Sequence, residues 1–309
     1  MLRRTCLAAA ALLMGTMTAA VAQDQKVVGL AVANLQADFF NQIKQSVEAA
    51  GQEMGVEIIT VDAKGDAAAQ VNQIQDLLTR QVQALIYIPA GATAASVPVK
   101  AAKAAGVPVV TVDRNPADAP GDSFIATNSV EAAKDLAKHV CELTGGTGKL
   151  LVIQGQTGTT PELDRDQGFK EGLAENCPGV EEVARQASTM WAQDEGFNIT
   201  QDMLQRYPDV NVIFGRADAL ALGAAQAVKV ANLDHDVFIV GFDGDVAGLK
   251  AVQDGTLDAT MTQRTQAMGR LALETALALI DGEEAPAEQL QPATLTTQEN
   301  VGPFIEQHP

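Results

Sequence analysis

The feature that most restricts this chain is a strand–helix alternation that runs through it twice. From residue 26 onward, short runs rich in β-branched residues at 27–33, 56–61, 84–88 and 107–112 alternate with amphipathic segments at 38–54, 67–80 and 96–105. Gly55 and Gly106 stop two of those helices directly before the next strand, and Pro98 fits a helix that begins near Ser96, where proline is tolerated. After 123–127 the alternation resumes, with strands expected at 149–154, 183–187, 210–214, 237–241 and 259–262. Its helices are expected at 130–143, 162–176, 193–206, 219–230, 246–253 and 266–280. Apolar runs of this length, separated by helices, are central strands of a parallel sheet covered on both faces. The expected fold is therefore α/β, with two doubly wound halves in tandem. At 309 residues the chain is long enough to give each half its own core. The tail from Asp281 is acidic and proline-containing, with one last short strand expected at 293–297.

In such sheets ligands bind just beyond the carboxyl ends of the strands, and the chemically capable residues of this chain gather there. Val107-Pro108-Val109-Val110-Thr111-Val112 runs straight into Asp113-Arg114, an acceptor-only carboxylate beside a five-donor guanidinium. Asn34-Leu35-Gln36-Ala37-Asp38-Phe39-Phe40 follows the first strand and places two aromatics side by side, in a chain only 4% aromatic. Gly155-Gln156-Thr157-Gly158-Thr159-Thr160-Pro161 and then Arg165 follow the strand at 149–154. Trp191, the single tryptophan, follows the next strand, while Asp218, Asp243, Gln263 and Arg264 follow later ones. If the two sheets face each other, these groups line one cleft. Aromatic faces suit the C–H surface of a sugar ring, and carboxylates, guanidinium groups and amides suit its hydroxyls. Simpler roles stay open at each position. Asp113 and Arg114 make an ordinary surface pair, Phe39 and Phe40 make a staple for the following helix, and Asp218 and Asp243 make helix N-caps.

Other chemistry is poorly provided for. Gly145-Gly146-Thr147-Gly148 lies between a helix and a strand, the reverse of a phosphate-cradling loop. His139, His235 and His308 are scattered, no G-x-S-x-G elbow occurs, and Asp243-Gly244-Asp245 lacks the rest of a calcium loop. Nothing calls for a cofactor or metal, or for catalysis. A net charge of −18 argues against nucleic acid and anionic membranes as partners.

The first residues read as a targeting segment at 1–22: Arg3 and Arg4, an apolar stretch over 7–17, and the cleavage site Ala20-Val21-Ala22. Cleavage would start the mature chain at Gln23 and put it in a periplasm. It would also remove Cys6, leaving Cys141 and Cys177, an even number in an oxidising compartment. Both lie near the carboxyl ends of helices that flank the strand at 149–154. A disulfide between them and two separate buried thiols are both compatible with that placement.

Taken in order, Asp38-Phe39-Phe40, Val112-Asp113-Arg114, Arg165-Asp166-Gln167-Gly168-Phe169, Phe214 through Asp218 to Gly223, and Val240-Gly241-Phe242-Asp243-Gly244 resemble the periplasmic sugar-binding proteins of the ribose-binding type. The resemblance covers essentially the whole mature length. It implies two lobes, 23–127 with 264–292 and 128–263 with 293–309, joined by three hinge crossings that close on a sugar. It implies that Phe39, Phe40 and Trp191 face the sugar ring. Asp113 and Arg114 would bind hydroxyls from the first lobe, and Arg165, Asp243 and Gln263 from the second lobe and hinge. It also implies a monomer whose partners are a sugar or polyol, an inner-membrane ABC permease and, for some members, a chemoreceptor. Ala33, Ala37, Ile88 and Ala217 stand where ribose binders carry polar residues, which points away from ribose toward a deoxy sugar or small polyol. Two functions follow: delivery of the ligand to a permease, or presentation of it to a periplasmic receptor.

Overall fold

The computed structural model describes residues 25–307. The expected targeting segment, Cys6 and His308 lie outside the described residues. The first half contains β1 (Val27–Val32), α1 (Asp38–Met54), β2 (Glu57–Asp62), α2 (Ala67–Thr79), β3 (Ala84–Tyr87), α3 (Ser96–Ala104), β4 (Val109–Val112) and β5 (Ser123–Thr127). The second continues through α4 (Ser129–Thr144), β6 (Thr147–Gln154), α5 (Thr160–Asn176), β7 (Gly179–Ala187), α6 (Gln193–Arg206), β8 (Val212–Gly215) and α7 (Asp218–Ala231). Then come β9 (Phe238–Val240), α8 (Val246–Asp254), β10 (Thr260–Thr262), α9 (Thr265–Ile280), β11 (Glu288–Gln291), β12 (Thr294–Thr296) and α10 (Gly302–Gln307).

The first sheet has the order β11-β5-β4-β3-β1-β2, every neighbouring pair parallel. Its strands send alternate side chains to opposite faces, as the two-residue period requires. Leu30, Ile86, Val110 and Val112 pack with Ile43 and Val47 of α1 and with Met268 and Leu273 of α9. Ala31, Leu85, Tyr87 and Val109 pack with Ile74 and Leu77 of α2 and Val99 of α3. The second sheet, β7-β6-β8-β9, is also parallel and is divided the same way. Leu151, Ile153 and Ile213 meet α6, α7 and α8, while Leu150, Val152 and Phe214 meet α4 and α5. Burial on both faces is why these strands read as unbroken apolar runs.

The chain passes between the two sheets three times: from β5 to α4, from β10 to α9, and from β11 to β12. Parallel bridges from Val240 to Ala259 and from Asp243 to Thr262 carry β10 alongside β9, and β12 pairs antiparallel to β10. The crossings are tied to one another. Asn128 N donates to Gln291 O at 2.8 Å, and Thr127 Oγ1 donates to Gln263 Oε1 at 2.5 Å.

Several boundaries differ from the sequence expectation. β4 begins at Val109 because Val107 N is used to close α3, donating to Ala102 O, and Pro108 has no N–H to give a ladder. β7 begins at Gly179, extended by a polar stretch that pairs with Thr147–Leu150 before a register shift at Leu150/Leu151. Besides the short strand expected at 293–297, found as β12, the acidic tail contributes β11, the sixth strand of the first sheet, and later α10. Cys141 and Cys177 form a disulfide, their Cα atoms 5.6 Å apart, which joins the carboxyl ends of α4 and α5.

Candidate functional site

The carboxyl ends of β1 and β4 face those of β7, β8 and β9 across a cleft of about 720 Å³. Phe39, Phe40, Asp113, Arg114, Arg165, Trp191 and Asp243 all line it. Gln263 does not. It lies buried behind the wall, accepting from Thr127 on one side and donating through Nε2 to Asp243 Oδ1 at 2.8 Å on the other. The hinge thus reaches the cleft through Asp243.

Each half supplies one acid–base pair. Arg114 Nε lies 3.4 Å from Asp113 Oδ2, and Arg165 Nη2 lies 3.3 Å from Asp243 Oδ1. Arg114 is anchored by Nη1, which donates to Pro89 O at 2.9 Å, and its guanidinium stands 5.2 Å from the Phe40 ring centre. Phe39 and Phe40 meet edge to face at 5.2 Å. The Arg165 guanidinium sits 3.9 Å over the Phe242 ring and donates to Arg216 O. The Trp191 ring lies 5.9 Å from the Arg114 guanidinium and 5.6 Å from that of Arg165, between the two pairs.

Asp113, Trp191 and Asp243 have φ of +63°, +60° and +136°, backbone regions that non-glycine residues seldom occupy. Strain of this kind persists where the surroundings over-determine it, and it clusters at ligand sites. At Asp243 the backbone is fixed by its N–H donating to Met261 O and by Gln263 N donating to its carbonyl.

Burial sets the electrostatics. It raises the Asp113 carboxyl above the usual range, against the pull of Arg114 and Arg165. Burial likewise pushes Asp243 up to about 7, with Arg165 pulling down and Asp245 and Asp113 adding to the rise. Asp218 is raised well above the usual range by burial and by Asp245 and Asp243.

The helix-cap roles fall elsewhere than expected. Asp245, not Asp243, caps α8, accepting from Gly248 N at 2.7 Å. Asp218 is the first residue of α7, and its carboxylate braces the next loop, accepting from Gly244 N, Asp245 N and Thr260 Oγ1. Arg216 neither faces solvent nor lines the cleft. It is fully buried and paired with Glu162 and Asp166 of α5, which also meets Arg185. Burial raises Asp166, but hydrogen bonds from Lys170 and Arg216 outweigh it and hold this carboxyl at about 2. Glu162 and Asp166 are four apart on α5, a spacing that puts both on one helix face and was visible in the sequence.

Contacts also run from one half to the other around the cleft. Arg114 Nη1 donates to Gln156 Oε1 at 3.2 Å, Asn115 N to Thr160 Oγ1 at 2.9 Å, and Val246 N to Asp38 Oδ2 at 3.3 Å. Met190 is a cleft residue that composition and position alone did not single out.

The profile of the periplasmic binding protein domain matches residues 28–284. The chain belongs to this family. This periplasmic binding protein is 32% identical to the ribose import binding protein of Haemophilus influenzae over 278 residues, 90% of this chain and 94% of the relative. It is 27% identical to the xylitol-binding protein of Mycolicibacterium smegmatis, over 92% of this chain and 80% of the relative. Among solved structures, an ABC transporter solute-binding protein from Mycobacterium smegmatis with bound glycerol superposes with a TM-score of 0.86 at 29% identity, covering 92% of this chain and 98% of that one. One from Bacillus halodurans with bound myo-inositol gives 0.85 at 25% identity, with the same coverage. Family membership makes the protein a solute-binding protein of the periplasm.

Proposed function

We propose that this protein captures a sugar or sugar alcohol between its lobes and delivers it, as a monomer and without catalysis, to an inner-membrane ABC permease. The lobes are residues 23–127 with 264–292 and residues 128–263 with 293–309, the first 22 residues being the export signal. The observation that carries this reading is the pairing of Asp113–Arg114 from one lobe with Arg165–Asp243 from the other, around Phe40 and Trp191. Carboxylates accept from hydroxyls, guanidinium groups donate to hydroxyl and ring oxygens, and the flat rings cover C–H faces. No single-sign charge is left at these pairs to demand an ionic ligand. Relatives named for ribose and xylitol, and neighbours holding glycerol and myo-inositol, support a small polyhydroxy ligand. Ala37, Ala217, Ala219, Leu222 and Ala247 complete the cleft with apolar surface. That favours a ligand with fewer hydroxyls than ribose offers, such as a deoxy sugar or a short alditol.

A thermal-shift panel of pentoses, hexoses, deoxy sugars, alditols and inositols tests this. A true ligand at about a hundredfold over its Kd should raise the melting point by roughly 5–10 °C, and small-angle scattering should show compaction with it. A panel that leaves the melting point unmoved, while amino acids raise it, rejects the assignment.

A further inference from the structure

The two sheets are hinged along one side only. In the first sheet β5 and β11 lie at the hinge edge and β2 at the opposite edge. In the second, β10 and β12 lie toward the hinge and β7 at the opposite edge. The loops that leave β2 and β7 therefore sit farthest from the hinge, where a given rotation moves atoms most. Those loops touch. The Met190 Sδ and Cε atoms, in the loop after β7, rest on Gly65 in the turn after β2, so closely that a Cβ built on Gly65 would come within 2.2 Å of Cε.

The segment 188–192 is built to hold that position. Glu195 accepts four hydrogen bonds from it: Thr189 N at 2.8 Å, Thr189 Oγ1 at 2.6 Å, Met190 N at 2.9 Å and Ala192 N at 3.2 Å. Ser188 N donates to Gln154 O at 2.9 Å. The Trp191 ring is seated on Gly155, where an added Cβ would fall 1.8 Å from its Cη2 atom. Met190 itself remains 42% exposed, so its contact with Gly65 is a surface contact and not part of either core. Gly65 has φ of +83°, and its lack of a side chain is what lets the thioether approach.

Building on the sugar-binding reading, we propose that Met190, positioned by Glu195 and received by Gly65, is a latch at the open side of the cleft that sets how fast the ligand leaves. An unbranched thioether suits the task, because it makes apolar contact without requiring a fixed partner geometry. The contact forms only after the lobes have come together, so it belongs to dissociation and not to encounter.

Trp191 is the chain's sole tryptophan and lies beside Met190, so stopped-flow tryptophan fluorescence reads the event directly. The probes are ribose, 2-deoxyribose, glycerol, erythritol, xylitol and myo-inositol. Met190→Ala should speed dissociation of whichever probe the wild type retains by at least fivefold, with association within twofold and an unchanged melting point without ligand. Glu195→Gln should move dissociation the same way, and Met54→Ala, an exposed methionine at the far end of α1, should move nothing. Dissociation from Met190→Ala within twofold of wild type, with the wild type binding normally, overturns the latch alone. A wild-type chain that responds to none of the probes overturns the ligand reading, and with it any retention role for Met190.

Discussion

Asp243→Ala is expected to weaken ligand binding by about tenfold to a hundredfold while leaving the fold intact. The carboxylate lines the cleft, faces Arg165 at 3.3 Å and receives Gln263 at 2.8 Å. Removing it leaves a buried guanidinium and an amide without their acceptor and deprives the ligand of one. Each such loss costs about 1–3 kcal/mol, more where a charge is involved, and every 1.4 kcal/mol is tenfold in affinity. Because Asp245 caps α8, the ligand-free protein should not lose a cap's contribution. Stability instead depends on pH. The folded carboxyl holds its proton to about pH 7, whereas an unfolded aspartate releases it near pH ~4. Its contribution is thus complete below about pH 4 and lost as the pH rises through 7. Asp243→Asn, neutral throughout, should gain in melting temperature relative to wild type between pH 5 and pH 8. Calorimetric titration and melts on the two variants check both statements. Unchanged affinity with a lower melting point at every pH would reduce Asp243 to a structural residue.

Removing the Cys141–Cys177 disulfide should have a comparable effect on stability and none on binding. The bridge closes a loop with a sequence separation of 36 residues, for which chain entropy predicts roughly 4 kcal/mol. For a domain of this size that corresponds to a fall in melting point of about 8–16 °C. The bridge lies at the carboxyl ends of α4 and α5, whereas Arg165 and Pro161 enter the cleft from the amino-terminal end of α5. A Cys141→Ser, Cys177→Ser double variant should therefore melt earlier yet bind with wild-type affinity below its transition. Thiol titration of denatured, unreduced wild type should find no free thiol. Two free thiols would remove the premise.

What the sequence shows of this molecule follows from burial. β1, β3, β4 and β8 are covered on both faces, so their apolar runs declare them, and the loops after β1, β4 and β8 reach the cleft through Asn34, Asp113 and Ala217. β11 is polar at three of its four residues, Glu288-Gln289-Leu290-Gln291, and becomes a strand because β5 offers it an edge, which no local pattern records. The same limit applies in the site. Asp113, Arg165 and Asp243 are legible as strand-end or helix-face residues. The positive φ at Asp113 and Asp243 is not, since it is held by backbone bonds to distant segments. Gln263 is a ligand contact by the family resemblance, but the structure puts it one layer back, between Thr127 and Asp243. Arg216 is pulled inward by two acids of α5, a pairing across 54 and 50 positions of chain.

The origin of β11 has a consequence for how the protein is made. The first sheet is finished by a strand whose neighbour Ser123 bonds to Pro286 across 163 residues, and α9, which covers that sheet, also arrives from the far end of the chain. The amino-terminal half therefore cannot reach its final form while it is the only part synthesised. Such long-range closure slows folding, because loop entropy has to be overcome before the contacts reward it. The first lobe therefore stays open until residues 265–291 are present to cover its sheet and complete its edge.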